Sequence, residues 1–236
     1  MNQFARAFTP DRLEEAWKVI REDFAFAAWE TIYATLLATL FAIIIGLPLG
    51  MLLVAGDSKG IRPLPSILMK LINVIINLLR SVPVNILMVM VIPLTRVIVG
   101  TSVGTVASIV PLVIAAFPFV ARLVEGSLRE VNPNIIETAQ SMGATPMQIL
   151  LKVMLPESVP SLISNFTLAI TTIMGYTAMS GAVGGGGLGM IAITYGYNRY
   201  RYAVLYAAVI VLVIIVQVIQ SFGTWLAKKS DKRLKK

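Results

Sequence analysis

Five long apolar stretches separated by short polar segments dominate this chain. They lie at about residues 32–55, 67–94, 106–124, 162–179 and 203–226. Each of them approaches or exceeds the roughly 20 residues that a helix needs to cross a bilayer. The pattern therefore predicts an all-α membrane protein with five transmembrane helices.

Two of these stretches contain residues that disturb a regular helix. In the first, Gly46 and Gly50 flank Pro48, which predicts close packing against a neighbouring helix and a kink. In the second, Pro83 follows Arg80 and predicts a bend or a break. Arg80 is a strong charge near the middle of an apolar run. It either reaches the membrane surface at the break or lines an aqueous cavity there.

Residues 1–27 form a leader ahead of the first span, and they lack the apolar region of a signal peptide. Apolar residues recur in it at helical spacing, at Leu13, Trp17, Ile20 and Phe24. The spacing predicts a short amphipathic helix that lies in the membrane interface before the first span. A solvated leader is the alternative.

Composition supports a membrane protein and argues against most enzymes. Apolar residues make up 57% of the 236 residues and charged residues 14%, with a mean hydropathy of +0.81. The chain has no cysteine and no histidine, which removes thiolate chemistry and the commonest general base and metal ligand. No catalytic, metal or cofactor site is expected.

Charge predicts the orientation in the membrane. Much of the net charge of +8 lies in a basic tail at residues 227–236. Directly after an apolar span, such a tail marks the cytoplasmic side, and no nucleic-acid partner is expected. With five spans, the N-terminus then lies outside. The basic residues of the leader are a counter-signal, whereas the connecting loops agree with this orientation.

A polar segment at residues 132–156, which we call the elbow, interrupts the apolar pattern. Asn132 followed by Pro133 is typical of a helix start, and Gly143 is typical of the position just past a helix end. The elbow therefore opens with one short, capped helix.

A second short helix is predicted to follow in the elbow. Thr145 and Gln148 have the spacing of a capping box, and Pro156 is expected to limit the helix. Two capped helices at about a right angle on a membrane surface would form a rigid handle. Such a handle indicates a partner outside the bilayer.

The elbow also carries a spaced set of residues: Glu137, Thr138, Ala139, Gly143, Val153, Leu155 and Pro156. This set resembles the cytoplasmic motif of membrane subunits of bacterial type I ABC importers. That motif is Glu-Ala-Ala, three residues, Gly, nine residues, Ile, one residue and Leu-Pro. Threonine and valine replace one alanine and the isoleucine here, and both changes are conservative.

Three further stretches, at residues 92–102, 142–149 and 181–189, are similar to the methionine importer permeases in particular. The similarity extends over about residues 28–225, so residues 28–226 are interpreted as one ABC transmembrane domain. The resemblance implies the type I importer fold in a bacterial cytoplasmic membrane. It also implies a second copy of the chain, two cytoplasmic ATPase subunits and an external lipoprotein that delivers methionine.

The chain contains no Walker A motif, so ATP and Mg are expected on the partner ATPase. Energy would then enter through the elbow, at Glu137, Ala139, Gly143, Ala144, Thr145, Pro146, Leu155 and Pro156. Gly143 and Ala144 are expected to allow close approach of the ATPase. Glu137 is expected to fix the elbow by accepting hydrogen bonds, with a solvated surface role as the alternative.

Small and polar residues of the fourth span are candidates for the lining of a path along the dimer axis. Tyr176 and Met179, near its end, would form a soft apolar gate suited to a thioether, and ordinary helix packing is the alternative. Arg80 is a further candidate for the path. The glycine run at residues 184–189 lacks the Lys-Ser/Thr of a P-loop and predicts a close-packing turn.

These observations predict the permease subunit of an ATP-driven importer of L- or D-methionine. An importer of another amino acid or small solute is the first alternative, and a stand-alone channel or carrier is the second. An intramembrane enzyme has the least support, because the chain lacks histidine, cysteine and a paired set of acids within its apolar spans.

Overall fold

The computed structural model describes residues 9–231, and in this range every regular element is a helix. In chain order the α-helices are α1 (Pro10–Ala55), α2 (Ser66–Ser81), α3 (Val84–Met90), α4 (Ile92–Val99), α5 (Thr105–Arg129), α6 (Pro133–Ser141), α7 (Pro146–Gln148), α8 (Leu155–Glu157), α9 (Val159–Ser180), α10 (Gly187–Ile191) and α11 (Tyr202–Ser230). Turns of π-helix lie at Ile149–Met154 and Ala192–Asn198, and a 3₁₀ turn lies at Gly181–Val183. The predicted all-α class is confirmed.

Four helices of the described residues are long and apolar enough to cross a membrane. They cover Ala16–Ala55, Thr105–Arg129, Val159–Val183 and Tyr202–Ser230. Helices α2 and α3 pass the same test together, but their axes are bent by 104°. The chain therefore has four spanning-length helices in this range, or five if the bent pair counts as one span.

The break between α2 and α3 occurs at the predicted proline. Val82 is extended, with φ −76° and ψ 127°, and Pro83 caps the next helix. The proline ring disfavours the helical conformation for the residue before it and removes a backbone donor. The predicted break in the second apolar stretch is thus confirmed.

The leader differs from its prediction, because it is not a separate short helix. Helix α1 is continuous over 46 residues and includes both the leader from Pro10 onward and the first span. No glycine or proline occurs between Pro10 and Gly46, so nothing in the local sequence ends the helix. Residues 1–8 of the leader lie outside the described residues.

The predicted apolar stripe of the leader packs in part. Trp17 is 66% exposed, whereas Phe24 is buried, and Leu13 lies outside the residues whose side chains are described. Phe24 and Ile20 of the stripe share the packed face with the small residues Ala16 and Ala27. Small side chains let α1 approach its neighbours closely, which a stripe of large residues does not reveal.

The chain divides into two compact units. Of the described residues, the first comprises those up to Thr39 together with Pro83–Ile114 and Ile170–Ile219. In its core, the start of α1 packs against α10 and α11, through Ala16, Val19, Phe24, Ala27, Leu188, Ile191, Val204 and Ala208.

The second unit comprises Leu40–Val82, Ala115–Ala169 and the described residues from Gln220 onward. In it, the glycines around Pro48 face α5. A Cβ atom added to Gly46 would lie 2.8 Å from Val120 Cγ1, and one added to Gly50 would lie 2.6 Å from Val124 Cβ. The predicted close packing of this glycine pair is therefore confirmed.

Candidate functional site

Both helices of the elbow begin at side-chain caps, as predicted. Asn132 accepts a hydrogen bond from the backbone N–H of Asn134 at 3.0 Å, and Pro133 occupies the first turn. Thr145 Oγ1 accepts from the N–H of Gln148 at 3.4 Å, and Gln148 Oε1 accepts from the N–H of Thr145 at 2.9 Å. This reciprocal pair is a capping box, and it satisfies donors that a helix start leaves free.

The first elbow helix ends in a Schellman motif around Gly143. The N–H of Gly143 donates to the carbonyl of Gln140 at 2.9 Å, and the N–H of Ala144 donates to the carbonyl of Ala139 at 3.1 Å. Gly143 has φ +77°, a left-handed conformation that favours glycine. A Cβ atom there would meet nothing within 4 Å, so within this chain the glycine serves the backbone conformation and not a close contact.

The second elbow helix does not end at Pro156, and this prediction is wrong. A π turn at Ile149–Met154 precedes the proline, with the N–H of Leu155 donating to the carbonyl of Leu150. The chain then passes through Pro156 in α8, and α9 begins at Val159. A wider turn directly before a proline keeps its ring away from the carbonyl that it would meet in a regular α-helix. The elbow therefore leads almost directly into α9.

Apolar residues of the elbow both anchor it and contribute to its surface. Ile149, Leu150 and Met154 are buried and anchor the second helix to its own unit. Met142 is 82% exposed and Met147 is 60% exposed, at the end of the first helix and the start of the second. Flexible, polarisable methionine side chains are suited to contact with a partner surface.

A cavity of about 520 Å³ lies beside the elbow in the second unit, bounded by the elbow, the end of α5 and the loop after α1. Arg129 lines this cavity and donates hydrogen bonds to Asp57 Oδ2 at 2.9 Å and to Glu125 Oε1 at 2.9 Å. The hydrogen bond from Arg129, followed by that from the backbone N–H of Ser58, lowers the pKa of Asp57 below its ordinary value. These contacts tie the loop after α1 to α5.

Glu137 lies at the rim of this cavity and is exposed. Its carboxylate makes no hydrogen bond to the residues that the structure describes, although its backbone carbonyl accepts from Ser141 Oγ at 2.9 Å. Within this chain the caps fix the elbow and Glu137 does not. Its role in coupling to an ATPase stays a prediction.

The three candidate path residues lie in different parts of the molecule. Met179 is 48% exposed near the end of α9, and Tyr176 beside it is half-buried; both belong to the first unit. Arg80 is exposed in the last turn of α2, directly before the break, and belongs to the second unit. Their role in a path stays a prediction.

Glu30 is a polar residue of the first unit that sequence reasoning missed. Its carboxylate accepts from Thr105 Oγ1 at 2.6 Å and from the N–H of Gly187 at 3.0 Å, so it joins α1, α5 and the glycine run. The signal available in the sequence was an isolated acid between Trp29 and Thr31, directly before the first apolar stretch. Such an acid near a span is a candidate for a specific role.

The glycine run is a close-packing turn, as predicted. A Cβ atom at Gly186 would collide with Thr105 Oγ1, and one at Gly189 would collide with the carbonyl oxygen of Ala178. The backbone of the run therefore approaches α5 and α9 more closely than any other residue would allow.

The family described as binding-protein-dependent transport system inner membrane component matches residues 46–236, which include the whole elbow. The chain belongs to this family. As an inner membrane component of a transport system, it is a multi-pass membrane subunit and is not itself catalytic.

Individual members of the family give the resemblance more detail. The chain is 44% identical to the probable D-methionine transport system permease protein MetI of Vibrio cholerae, over 92% of this chain and 96% of the relative. It is 45% identical to the D-methionine transport system permease protein MetI of Escherichia coli strain K12, over 70% of this chain and 73% of the relative. The predicted resemblance to methionine importer permeases is confirmed.

Two solved structures of ABC transporters contain chains with the same fold as this one. An inward-facing conformation of the MetNI methionine ABC transporter contains a chain that superposes with a TM-score of 0.85 and 44% identity, over 87% of this chain and 94% of the other. A second chain, from an amino acid ABC transporter with histidines, has a TM-score of 0.67 and only 18% identity, over 94% and 96% of the two chains. The MetNI chain confirms the type I importer permease fold of this protein, and the chain with 18% identity shows the fold alone.

Proposed function

We propose that this chain is the permease subunit of an ATP-driven importer that moves methionine, in the L form, the D form or both, across a bacterial cytoplasmic membrane. The observation that carries the proposal is the elbow. It has the importer motif at full spacing on two capped helices, in a chain 44% identical to a relative named as a D-methionine permease. The chain supplies the membrane passage, and its partners supply energy and capture.

Those partners are a second copy of the chain, two cytoplasmic ATPase subunits that bind ATP and Mg, and an external lipoprotein that delivers the solute. If the bent pair is one span, the two ends lie on opposite sides, and the positive-inside rule supports a cytoplasmic basic tail and an external N-terminus. The elbow then lies in the cytoplasm. An exposed apolar surface beside polar helix ends is suited to insertion into a groove of the ATPase.

The elbow is built to transmit force. Its caps make it rigid, and Met142 and Met147 offer the apolar contact by which an ATPase can hold it. Only Ser158 separates α8 from α9, so displacement of the elbow acts directly on α9. Closure of two ATPases around ATP would pull both elbows together and tilt the α9 helices, which gives alternating access by rigid-body movement.

At the far end of α9, Met179 and Tyr176 provide a gate of soft apolar side chains. A thioether solute is itself apolar and polarisable at its sulfur, so contact with methionine costs little desolvation. Arg80 at the break of α2 supplies a positive charge that can guide the solute carboxylate.

Reconstitution tests the function. The permease, its ATPase and its lipoprotein are placed in vesicles, and uptake of labelled methionine is measured with ATP and with a non-hydrolysable analogue. Methionine should accumulate only with ATP and lipoprotein. Accumulation of another amino acid in place of methionine would identify a different cargo, and passage without ATP would identify a channel or carrier.

A further inference from the structure

Two side chains of α1 fasten the glycine run at residues 184–189, which we call the glycine loop, and Thr105 on α5 supports one of them. Thr105 Oγ1 on α5 donates to Glu30 Oε1 at 2.6 Å, and the N–H of Gly187 donates to Glu30 Oε2 at 3.0 Å. The next N–H, of Leu188, donates to Thr31 Oγ1 at 2.9 Å. Two neighbouring residues of α1 therefore hold two successive backbone donors of the loop.

The fit at these contacts leaves no free space. A Cβ atom at Gly186 would lie 2.9 Å from Glu30 Oε2 in addition to its collision with α5, and one at Gly187 would lie 2.5 Å from Thr31 Oγ1. Gly187 also has φ +79°, which favours glycine. Side chains at these glycine positions would therefore block the approach of Glu30 and Thr31 to the loop backbone.

The loop covers the end of α9. The N–H of Gly185 donates to the carbonyl of Ser180 at 2.8 Å, and the N–H of Gly104 donates to the carbonyl of Gly184 at 2.8 Å. Beneath the loop, Ser180 is 1% exposed, and it directly follows Met179 in the chain. Whatever holds the loop therefore also holds the end of α9.

We infer that Glu30 and Thr31 are positioning residues that keep the glycine loop closed over the end of α9 and thereby seal the passage at Met179. Loss of either contact leaves loop donors without their partner, which favours states in which the loop is detached. The sealing role rests on the proposed transport function, whereas the fastening can be tested without any solute.

Two buried threonines of α1 provide a matched pair of variants. Thr31 and Thr39 are 0% and 3% exposed, and their hydroxyls donate to the carbonyl four residues earlier, at 2.9 Å and 2.7 Å. Only Thr31 also accepts from the loop. Thr31→Val therefore removes the fastening together with an intrahelical bond, and Thr39→Val removes an intrahelical bond alone.

Glu30 allows a second comparison that separates hydrogen bonding from charge. In Glu30→Gln, the amide oxygen can accept from the N–H of Gly187 while the amide nitrogen donates to Thr105 Oγ1. Glu30→Ala loses both contacts. A positioning role predicts that Glu30→Gln behaves like the wild type within about twofold and that Glu30→Ala behaves like Thr31→Val.

Because the chain has no cysteine, Ser180→Cys places a single thiol beneath the loop. Its reaction rate with a maleimide is measured in the detergent-solubilised complex of permease and ATPase, where both membrane faces are accessible. Thr31→Val and Glu30→Ala should raise the rate about fivefold to tenfold, which corresponds to the loss of about one net hydrogen bond. Thr39→Val and Glu30→Gln should leave it unchanged.

Equal rates in Thr31→Val and Thr39→Val would overturn the fastening. If Thr31→Val fails to assemble, Thr105→Val and the two Glu30 variants carry the same comparison, and equal rates in Glu30→Ala and Glu30→Gln would overturn it.

Passive leak of labelled methionine from vesicles, measured without ATP, tests the seal. Thr31→Val and Glu30→Ala should leak and Thr39→Val should not. A released thiol without a leak would overturn the sealing role. A wild-type complex that fails to accumulate methionine with ATP would overturn the proposed function, and the thiol rates would still decide the fastening.

Discussion

The backbone N–H of Ala144 donates a hydrogen bond to the carbonyl oxygen of Ala139 at 3.1 Å, across the turn at Gly143. This bond completes the motif that ends the first elbow helix, and Thr145 starts the second helix one residue later. The direction in which the second helix leaves is therefore set by local backbone chemistry, before any partner binds. The elbow is therefore preformed for its proposed contact with the ATPase.

Gly143→Ala should weaken binding of the ATPase to the elbow. The side chain of an alanine would fit at this position, but its backbone would adopt φ +77° only at a free-energy cost of about 1–2 kcal/mol. We expect ATPase affinity and ATP-driven uptake to fall by about fivefold to thirtyfold. Gly126→Ala is the matched control, because a Cβ atom there also meets nothing within 4 Å and the residue lies within helix α5. Equal behaviour of the two variants would refute a conformational role for Gly143.

A negative charge at Met142 should disrupt assembly with the ATPase. Met142 is the most exposed apolar side chain of the elbow, and a carboxylate there cannot be buried in an apolar groove without a large desolvation cost. Met142→Glu should abolish co-purification of the ATPase while the permease still inserts and folds. Gln140→Glu adds the same charge at an exposed polar position two residues earlier. Retention of the ATPase by Met142→Glu would place the interface elsewhere.

The contact between Asp57 and Arg129 should make stability depend on pH in the acid range. The pKa of Asp57 is lowered in the folded protein, so its stabilising contribution is complete above the unfolded pKa of about 3.9. The contribution is lost as the pH falls through the folded pKa. The difference in Tm between the wild type and Asp57→Asn should therefore be constant near neutral pH and should disappear in acid.

Asp23→Asn serves as the control for that titration. Asp23 is exposed on α1 and has no ion pair with any residue in the described part of the chain. A wild-type advantage over Asp57→Asn that grows as the pH falls would contradict the assignment.

Met179→Ala should open the proposed gate. Truncation of this side chain removes apolar bulk from the end of α9 without touching a hydrogen bond. We expect increased leak of methionine in vesicles, or increased ATPase activity without the lipoprotein. Met90→Ala removes a similarly exposed methionine from α3. If Met179→Ala changes neither quantity, Met179 is a packing residue.

Much of the architecture is determined by the sequence itself, because its causes are local. Apolar runs of spanning length require helices, since a backbone in lipid must satisfy its own hydrogen bonds. The break at Pro83, the turn at Gly143 and the caps at Asn132 and Thr145 depend on residues no more than five positions apart. Each of these features was predictable because the residues that cause it are neighbours in the chain.

Other features are decided only by the tertiary structure. The sequence predicts a helix end at Pro156, yet the helical chain continues past it, through a π turn and α8, to α9. Glu30 and Gly187 are 157 positions apart, and no local pattern relates a lone acid to a distant glycine run. Asp57 and Arg129 are 72 positions apart. Local hydrogen bonds and hydrophobic length set the helices, whereas packing brings together the side chains that hold the glycine loop and the loop after α1, because those contacts exist only once the helices have met.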